Sequence, residues 1–158
     1  MSEESKQSPG GVNQLALDNQ FCFALYSASH AMTKTYKPML DRLGLTYPQY
    51  LVMLVLWEND AILVKEIGAR LFLDSGTLTP LLKRLETNGL VSRNRDPHDE
   101  RQVRIVLSEH GRALREQAAL IPAQVLCASG QELAPLGRLR TELSRVRDDM
   151  FKALERDC

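Results

Sequence analysis

With 158 residues, 44% of them apolar, the chain is long enough for one compact domain, or for one domain with dimerising extensions. Its 20 basic and 20 acidic residues cancel, so overall charge does not indicate nucleic acid as a partner. The polar N-terminus lacks the apolar run of a secretory signal, and no segment approaches the roughly 20 apolar residues that span a bilayer. We therefore expect a cytoplasmic protein without membrane contact.

The chain starts with a polar stretch, residues 1–13, that predicts a disordered tail. From about Leu15 to Tyr36 the sequence is compatible with a helix that carries one apolar stripe. Pro38 and Gly44 disfavour helix, so we expect them to bracket a separate short helical piece.

A second helix is predicted to follow directly and to end at about Asn59. Thr46 and Gln49 have the spacing of a capping box, and Pro48 suits the first turn of a helix. Residues 51–57 are all apolar, which predicts that this helix is buried on nearly every side at the centre of the domain.

Two amphipathic segments, Val64–Leu71 and Ser75–Glu86, then have the arrangement of a helix-turn-helix. Asp74 can cap the second helix, and the position of Pro80 beyond its first turn predicts a kink or a shifted start. Small hydroxyl groups at the start of this helix, with basic residues further along, suit insertion into a DNA major groove. The candidate DNA-binding residues of this helix are Ser75, Gly76, Thr77, Thr79, Pro80, Lys83 and Arg84.

A hairpin is predicted after the second helix, with strands at Leu90–Arg95 and Gln102–Leu107 and a turn at Asp96–Asp99. From Ser75 to Arg104 there are six basic and four acidic residues, a small excess. Affinity for DNA would therefore have to come from the placement of the basic residues and from the doubling of contacts in a dimer.

Helices are again predicted at the C-terminal end, one from Ser108 to about Cys127 and the last from roughly Leu139 to Arg156. The residues between these two helices, Gly130 and Pro135–Gly137, are expected to interrupt helical structure.

The elements together predict a mainly α fold with a small β-hairpin wing: a winged helix-turn-helix DNA-binding region at residues 46–108. The helices of residues 14–45 and 109–158 carry apolar stripes outside this module, and those stripes need a partner surface. The same helices of a second copy would supply one, so we assign these segments to the dimerisation region of a homodimer.

The sequence Leu85–Val91 and the wing motif Asp99–Ser108, with its Asp-x-Arg start, resemble the MarR family of transcriptional regulators. The resemblance implies a transcriptional repressor that binds a pseudo-palindromic operator in double-stranded DNA. It also implies that Arg101 enters the minor groove, where an arginine reads groove shape, and that Asp99 holds its guanidinium by a charge-assisted bond.

A closer resemblance, to the organic hydroperoxide resistance branch of that family, rests on Phe21–Ser27, Tyr36, Leu45–Tyr50 and Asp74–Leu81. It implies that an organic hydroperoxide is the inducer. By the same resemblance Cys22 is the peroxide-sensing thiol, Tyr36 and Tyr47 hydrogen-bond its thiolate, and Cys127 is the resolving thiol, with Cys158 a looser candidate.

The sensing chemistry requires a thiolate, and an unperturbed cysteine, with a pKa of about 8.5, is mostly thiol near neutral pH. Phenol donors stabilise the anion, but 14 residues of straight helix separate Cys22 from Tyr36 by about 21 Å. The chain must fold back, or the tyrosine must come from the other subunit, which we favour. Oxidised Cys22 would be a sulfenic acid, and an intersubunit disulfide with Cys127 needs Cα atoms within about 7 Å.

Two other interpretations of the sequence stay open. The protein could instead be a MarR-type repressor that responds to a small phenolic or anionic ligand, or, from another class, a thiol peroxidase enzyme. The three cysteines are widely spaced and include no Cys-x-x-Cys pair, so we predict no metal site and no cofactor.

Overall fold

The computed structural model describes residues 13–156, so most of the predicted tail and Cys158 lie outside the described residues. Its mainly helical architecture with a small sheet confirms the predicted winged helix-turn-helix fold. The described chain divides into two units after Lys34. No helix within residues 13–156 is both long and apolar enough to cross a membrane.

The elements are a short 3-10 helix at Leu17–Asn19, helices α1 Phe21–Arg42, α2 Tyr47–Glu58, α3 Val64–Leu71, α4 Ser75–Thr87, α5 Glu109–Ala118, α6 Ile121–Ser129 and α7 Leu133–Arg156, and strands β1 Ile62–Leu63, β2 Val91–Arg95 and β3 Val103–Leu107.

Helix α1 includes Pro38, so the prediction of a break at this proline was wrong. The missing N–H removes one backbone hydrogen bond, but the turn after it is held by Leu40, which is fully buried in the core. The Leu45 N–H donates to the Leu40 carbonyl (3.0 Å) just beyond the helix. Gly44 ends this segment with a φ of +67°, a left-handed conformation that favours glycine.

Helix α2 is the central helix of the core, as predicted, but it is not buried on nearly every side, because Leu54 is 42% exposed and Leu51 and Trp57 are half-buried. Its start has the expected capping box: the Gln49 N–H donates to the Thr46 hydroxyl (3.4 Å), and the Thr46 N–H donates to the Gln49 side chain (2.9 Å). Near its other end the Trp57 indole N–H donates to the Gly111 carbonyl (2.8 Å), which ties α2 to α5.

The helix-turn-helix has the predicted order, with a close approach at its turn. A Cβ at Gly68 would lie 2.8 Å from the Leu73 carbonyl, so only glycine fits there. Asp74 caps α4 as predicted, since its carboxylate accepts from the Thr77 N–H at 2.8 Å. Helix α4 starts at Ser75 and contains Pro80, so the start is not shifted by the proline.

The wing is part of a three-stranded antiparallel sheet in the order β1-β3-β2. The predicted hairpin pairs Val91 with Leu107 and Arg95 with Val103. The additional strand β1 places Ile62 beside Ile105 on the other edge of β3.

The carboxylate of Asp60 links strand β3 of the sheet to helix α5. It accepts hydrogen bonds from the N–H groups of Ala61 (2.7 Å) and Leu107 (2.8 Å) and from the Arg112 guanidinium (2.6 Å). Burial alone would raise the pKa of Asp60, but these donors outweigh it and the pKa is lowered.

The single helix predicted from Ser108 to about Cys127 is in fact two, α5 and α6. Ser108 does cap α5, accepting from the Gly111 N–H at 2.9 Å. The break comes before Pro122, which occupies the first turn of α6, where its missing N–H has no helical partner to lose. Pro135 also lies in the first turn of its helix, α7, so this helix begins earlier than predicted. The predicted interruption at Pro135–Gly137 was therefore wrong, whereas Gly130 does end α6.

Replacing the cap residue of α2 tests how much the central helix depends on its first turn. We expect Thr46→Ala to lower the free energy of unfolding by about 1 kcal/mol, measured by urea denaturation of the reduced protein. The control is Thr141→Ala, since the Thr141 hydroxyl donates to the Gly137 carbonyl within α7 and caps no helix. We expect this control to change stability by less than about 0.5 kcal/mol, and equal losses would contradict the capping role.

The lowered pKa of Asp60 predicts a specific dependence of stability on pH. Because its folded-state pKa lies below the unfolded value, its contribution is complete above about pH 5 and is lost as pH falls through the folded-state pKa. We expect Asp60→Asn to lower the melting temperature at pH 7 and to flatten the acid loss below about pH 4. Asp41→Asn, which removes an exposed pair with Lys37, is the control and should leave the acid profile unchanged.

Candidate DNA-binding and redox site

The two tyrosines predicted to act together are in contact. Tyr36 of α1 and Tyr47 of α2 meet edge to face, with ring centroids 5.2 Å apart. A third ring, Tyr50, lies 5.8 Å from Tyr36 and also meets Trp57 at 6.4 Å. Tyr50 follows Tyr47 by three residues on α2, and this spacing was the signal in the sequence that would have identified it.

The phenols of this cluster stay protonated across the physiological pH range. Burial raises the pKa of Tyr36, Tyr47 and Tyr50, and for Tyr50 burial together with the two neighbouring phenols raises the pKa to about 12. A protonated phenol is a hydrogen-bond donor, so the cluster offers donors and no negative charge.

Both cysteines predicted to take part in redox chemistry are free and exposed. Cys22 lies in the first turn of α1, next to Phe21, which is also exposed. Cys127 lies in α6, two residues before its end at Ser129. Their exposure makes each thiol accessible to an oxidant, as sensing and resolving roles require.

Helix α4 exposes the polar face that the sequence predicted. Thr77 and Thr79 hold their own helix, since the Thr77 hydroxyl donates to Asp74 (3.2 Å) and the Thr79 hydroxyl donates to the Ser75 carbonyl (2.7 Å). A Cβ at Gly76 would lie 3.1 Å from the capping carboxylate, so glycine leaves this cap room. The residues of this face that are exposed are Ser75, Gly76, Thr77, Pro80, Lys83 and Arg84, whereas Thr79 is half-buried.

The wing places Arg101 at its tip, with 96% of the side chain exposed. The Asp99 carboxylate accepts from the Arg101 backbone N–H (3.1 Å) and from the Gln102 amide (3.0 Å). Its distance to the Arg101 guanidinium is 3.9 Å, an ion pair without a hydrogen bond. Asp99 therefore holds the backbone of the tip rather than the guanidinium, which differs from the bond implied by the resemblance.

A cleft of about 490 Å³ separates the start of α4 from the wing. Its lining includes Thr79 and Leu82 of α4, Arg101 and Val103 of the wing, and Gly68 of α3. The cleft is therefore bordered by both helices of the helix-turn-helix and by the wing.

The turn of the helix-turn-helix is in contact with the last helix. Phe72, which ends α3 in a left-handed conformation (φ 55°), stacks on Phe151 of α7 with ring centroids 5.0 Å apart. The Arg147 guanidinium lies over the Phe72 ring, 4.5 Å from its centroid, in cation–π geometry. This contact joins α7 to the residues that immediately precede α4.

The chemistry of the described residues includes no metal-binding cluster: within residues 13–156, no group of three His, Cys, Asp or Glu side chains is placed to hold an ion.

Comparison with known proteins shows that this chain is similar to transcriptional regulators. Residues 34–117 match the family model described as transcriptional regulator SarA/Rot. The chain is 50% identical over 140 residues to the organic hydroperoxide resistance transcriptional regulator of Bacillus subtilis, which covers 89% of this chain and 95% of that protein.

Solved structures of transcriptional regulators are similar to this chain in both fold and sequence. Reduced AbfR of Staphylococcus epidermidis bound to DNA is similar with a TM-score of 0.74 and 35% identity, over 89% of this chain and 96% of that one. The disulfide-formed structure of AbfR is similar with a TM-score of 0.58 and 38% identity, over 84% and 93% of the two chains. These relatives are DNA-binding regulators and not enzymes.

Proposed function

Because the chain belongs to the MarR family of winged-helix transcriptional regulators, in the branch of the organic hydroperoxide resistance regulators, we propose that it is a peroxide-sensing repressor. It binds a pseudo-palindromic operator when reduced and leaves it when an organic hydroperoxide oxidises Cys22. The observation that carries the proposal is an exposed free thiol at Cys22 in a chain that also holds the Tyr36–Tyr47 pair of protonated donors. Membership of a regulator family removes the peroxidase alternative.

The first chemical step is attack of the Cys22 thiolate on the distal oxygen of the hydroperoxide. The O–O bond breaks, the sulfur gains that oxygen as a sulfenic acid, and the alkoxide takes a proton and leaves as the alcohol. The second step is attack of the Cys127 thiol on that sulfur, which forms a disulfide and releases water. Sulfur is oxidised and peroxide is reduced, so no other reagent is required.

The site is completed by a second copy of the chain. Cys22 and Tyr36 lie 14 residues apart in α1, so the phenols that reach Cys22 come from the partner subunit in this proposal. Long α7 exposes a series of large apolar side chains, which suits burial in a homodimer. These side chains are Leu133, Leu139, Leu143, Met150, Phe151 and Leu154.

The apolar setting of the thiol favours an organic substrate over hydrogen peroxide. Phe21 and Met32, both on α1 and both exposed, would line the approach to Cys22 in a dimer. An alkyl group gains free energy by leaving water for such a surface, whereas hydrogen peroxide has no apolar part to bury.

DNA contacts in this proposal come from two exposed elements. Helix α4 enters the major groove with the polar face described above, led by Lys83 and Arg84, and Arg101 enters the minor groove. The contact between Phe72 and Phe151 supports a route for release. A movement of α7 when the disulfide forms is passed to the turn before α4 and changes the spacing of the two recognition helices, which must match grooves about 34 Å apart.

Serine substitutions test the cysteine roles. We expect one equivalent of tert-butyl hydroperoxide to cross-link the wild type into a dimer on a non-reducing gel and to abolish its mobility shift of operator DNA. Cys22→Ser should do neither, and Cys127→Ser should form no cross-link.

The control is Cys158→Ser, which we expect to behave as the wild type. A normal cross-link in Cys127→Ser, lost in Cys158→Ser, would move the resolving role to Cys158. A Cys22→Ser variant that is still released by an inducer would favour the alternative of a repressor for a small phenolic or anionic ligand.

Phenylalanine substitutions test the phenols. A hydrogen bond to a charged group contributes about 1.5–3 kcal/mol, so Tyr36→Phe or Tyr47→Phe should slow oxidation of Cys22 about tenfold or more. The rate is measured by stopped-flow mixing with the hydroperoxide at neutral pH. Tyr26→Phe is the comparison, since Tyr26 lies one helical turn after Cys22 on α1 and tests whether a phenol of the same subunit, rather than Tyr36 or Tyr47, supports the thiolate. Equal rates for all three variants would refute the assignment of the phenols.

A further inference from the structure

A buried carboxylate lies at the base of the wing turn, where the surrounding residues are exposed. Asp96 directly follows β2 and has only 4% of its surface exposed. One carboxylate oxygen accepts from the backbone N–H groups of His98 (2.9 Å) and Asp99 (3.2 Å), which fixes the first half of the turn. The other accepts from the Nε (3.0 Å) and Nη2 (2.5 Å) of Arg104.

Arg104 continues this connection into the body of the module. It lies on the central strand β3, level with Leu63 of β1 and Asn94 of β2. Its remaining terminal nitrogen, Nη1, donates to the Ala61 carbonyl in the loop before β1. One planar guanidinium therefore links the wing turn to the opposite edge of the sheet, a geometry that the single ammonium of lysine lacks.

The connection ends at the exposed arginine of the wing. Asp96 holds the N–H of Asp99, and Asp99 holds the N–H of Arg101 through its own carboxylate (3.1 Å). Four consecutive links thus run from the Ala61 carbonyl to the backbone of Arg101. The Arg104 guanidinium and the N–H groups of the turn also lower the pKa of Asp96, so the carboxylate keeps its charge at neutral pH.

We propose that Asp96 and Arg104 are positioning residues for DNA binding, which set the direction in which the wing presents Arg101 without touching DNA themselves. The inference rests on the proposed role of Arg101 in the minor groove. A tip that is ordered before binding loses less conformational entropy when it enters the groove. Weakening the Asp96–Arg104 pair releases the order of the wing turn, because a charge left there without its partner is unstable away from water.

The test is a double-mutant cycle on DNA affinity, since a general structural role and a positioning role differ there. The probe is a duplex of about 30 base pairs selected from a random library by the reduced wild-type protein, long enough for two half-sites one helical turn apart. We expect Asp96→Asn and Arg104→Lys each to raise the Kd about tenfold. In the Arg101→Ala background, each should change the Kd by less than about twofold.

The salt dependence of binding is a second readout that lost stability would not move. Arg101→Ala should make the slope of log Kd against log salt concentration shallower, because fewer counterions are released. If Asp96 acts through Arg101, Asp96→Asn should reduce this slope in the same way. Circular dichroism at the binding temperature establishes that each variant is folded, and should Asp96→Asn fail to fold, Arg104→Lys alone completes the cycle.

Trp57→Phe is the control, because Trp57 is a half-buried residue of the same module whose indole N–H donates to the Gly111 carbonyl and to neither Ala61 nor the turn. We expect it to lower stability and to leave the Kd within about twofold. If Arg101→Ala weakens binding while Asp96→Asn costs as much with Arg101 as without it, the positioning inference is overturned and the role of Arg101 stands. If Arg101→Ala leaves binding unchanged, the role of Arg101 is overturned, and the inference with it.

Discussion

The burial of most of α2 in the core is the constraint on which the rest of the structure depends. One end of this helix carries Tyr47 and Tyr50, which meet Tyr36 in the phenol cluster. The helix itself is fully buried at Val52 and Met53, so it has little freedom to shift or rotate without opening the core. Its other end is tied to α5 by the Trp57 indole. Helix α2 therefore fixes Tyr47 and Tyr50 relative to the same core that holds α3 and α4.

Local signals in the sequence predicted most of the fold, because the physics behind them is local. Thr46 and Gln49 lie three residues apart, Asp74 directly precedes the helix that it caps, and both caps form as expected. The predictions that were wrong concern prolines, whose effect depends on their surroundings. Pro38 lies inside α1 because buried packing after it holds the helix, whereas Pro122 marks a helix start that the apolar sequence around it had concealed. Strand β1 has only two residues and is defined by its pairing with β3, so no pattern in the sequence predicts it.

The candidate site likewise has features that the sequence predicts and features that only the three-dimensional structure reveals. The cysteines, the tyrosine pair and the face of α4 are predicted from resemblance and from helical spacing, and in the structure the rings of Tyr36 and Tyr47 are in contact. Long-range contacts escaped sequence reasoning: Asp96 and Arg104 are eight residues apart on different strands, and Ala61 is 43 residues from Arg104. A turn sequence rich in Asp, Pro and His suggests a solvated loop, and only the fold makes one of its carboxylates a buried anchor.

Pairing also explains how a chain with no net charge can present a cationic surface to DNA. Of the six basic residues between Ser75 and Arg104, Arg93 and Arg104 lie beside Glu86 and Asp96, which largely cancels their fields. The other four basic residues share that segment with two acids, Asp99 and Glu100. Lys83, Arg84 and Arg95 are exposed and have no ion pair within the described residues, and the Arg101 side chain at the wing tip is 96% exposed. The acidic residues thus mainly stabilise the fold through ion pairs and hydrogen bonds. The remaining basic side chains are exposed on α4 and the wing. Because an ion pair is nearly neutral at a distance, this arrangement leaves exposed positive charge on α4 and the wing without requiring an excess of basic residues in the whole chain.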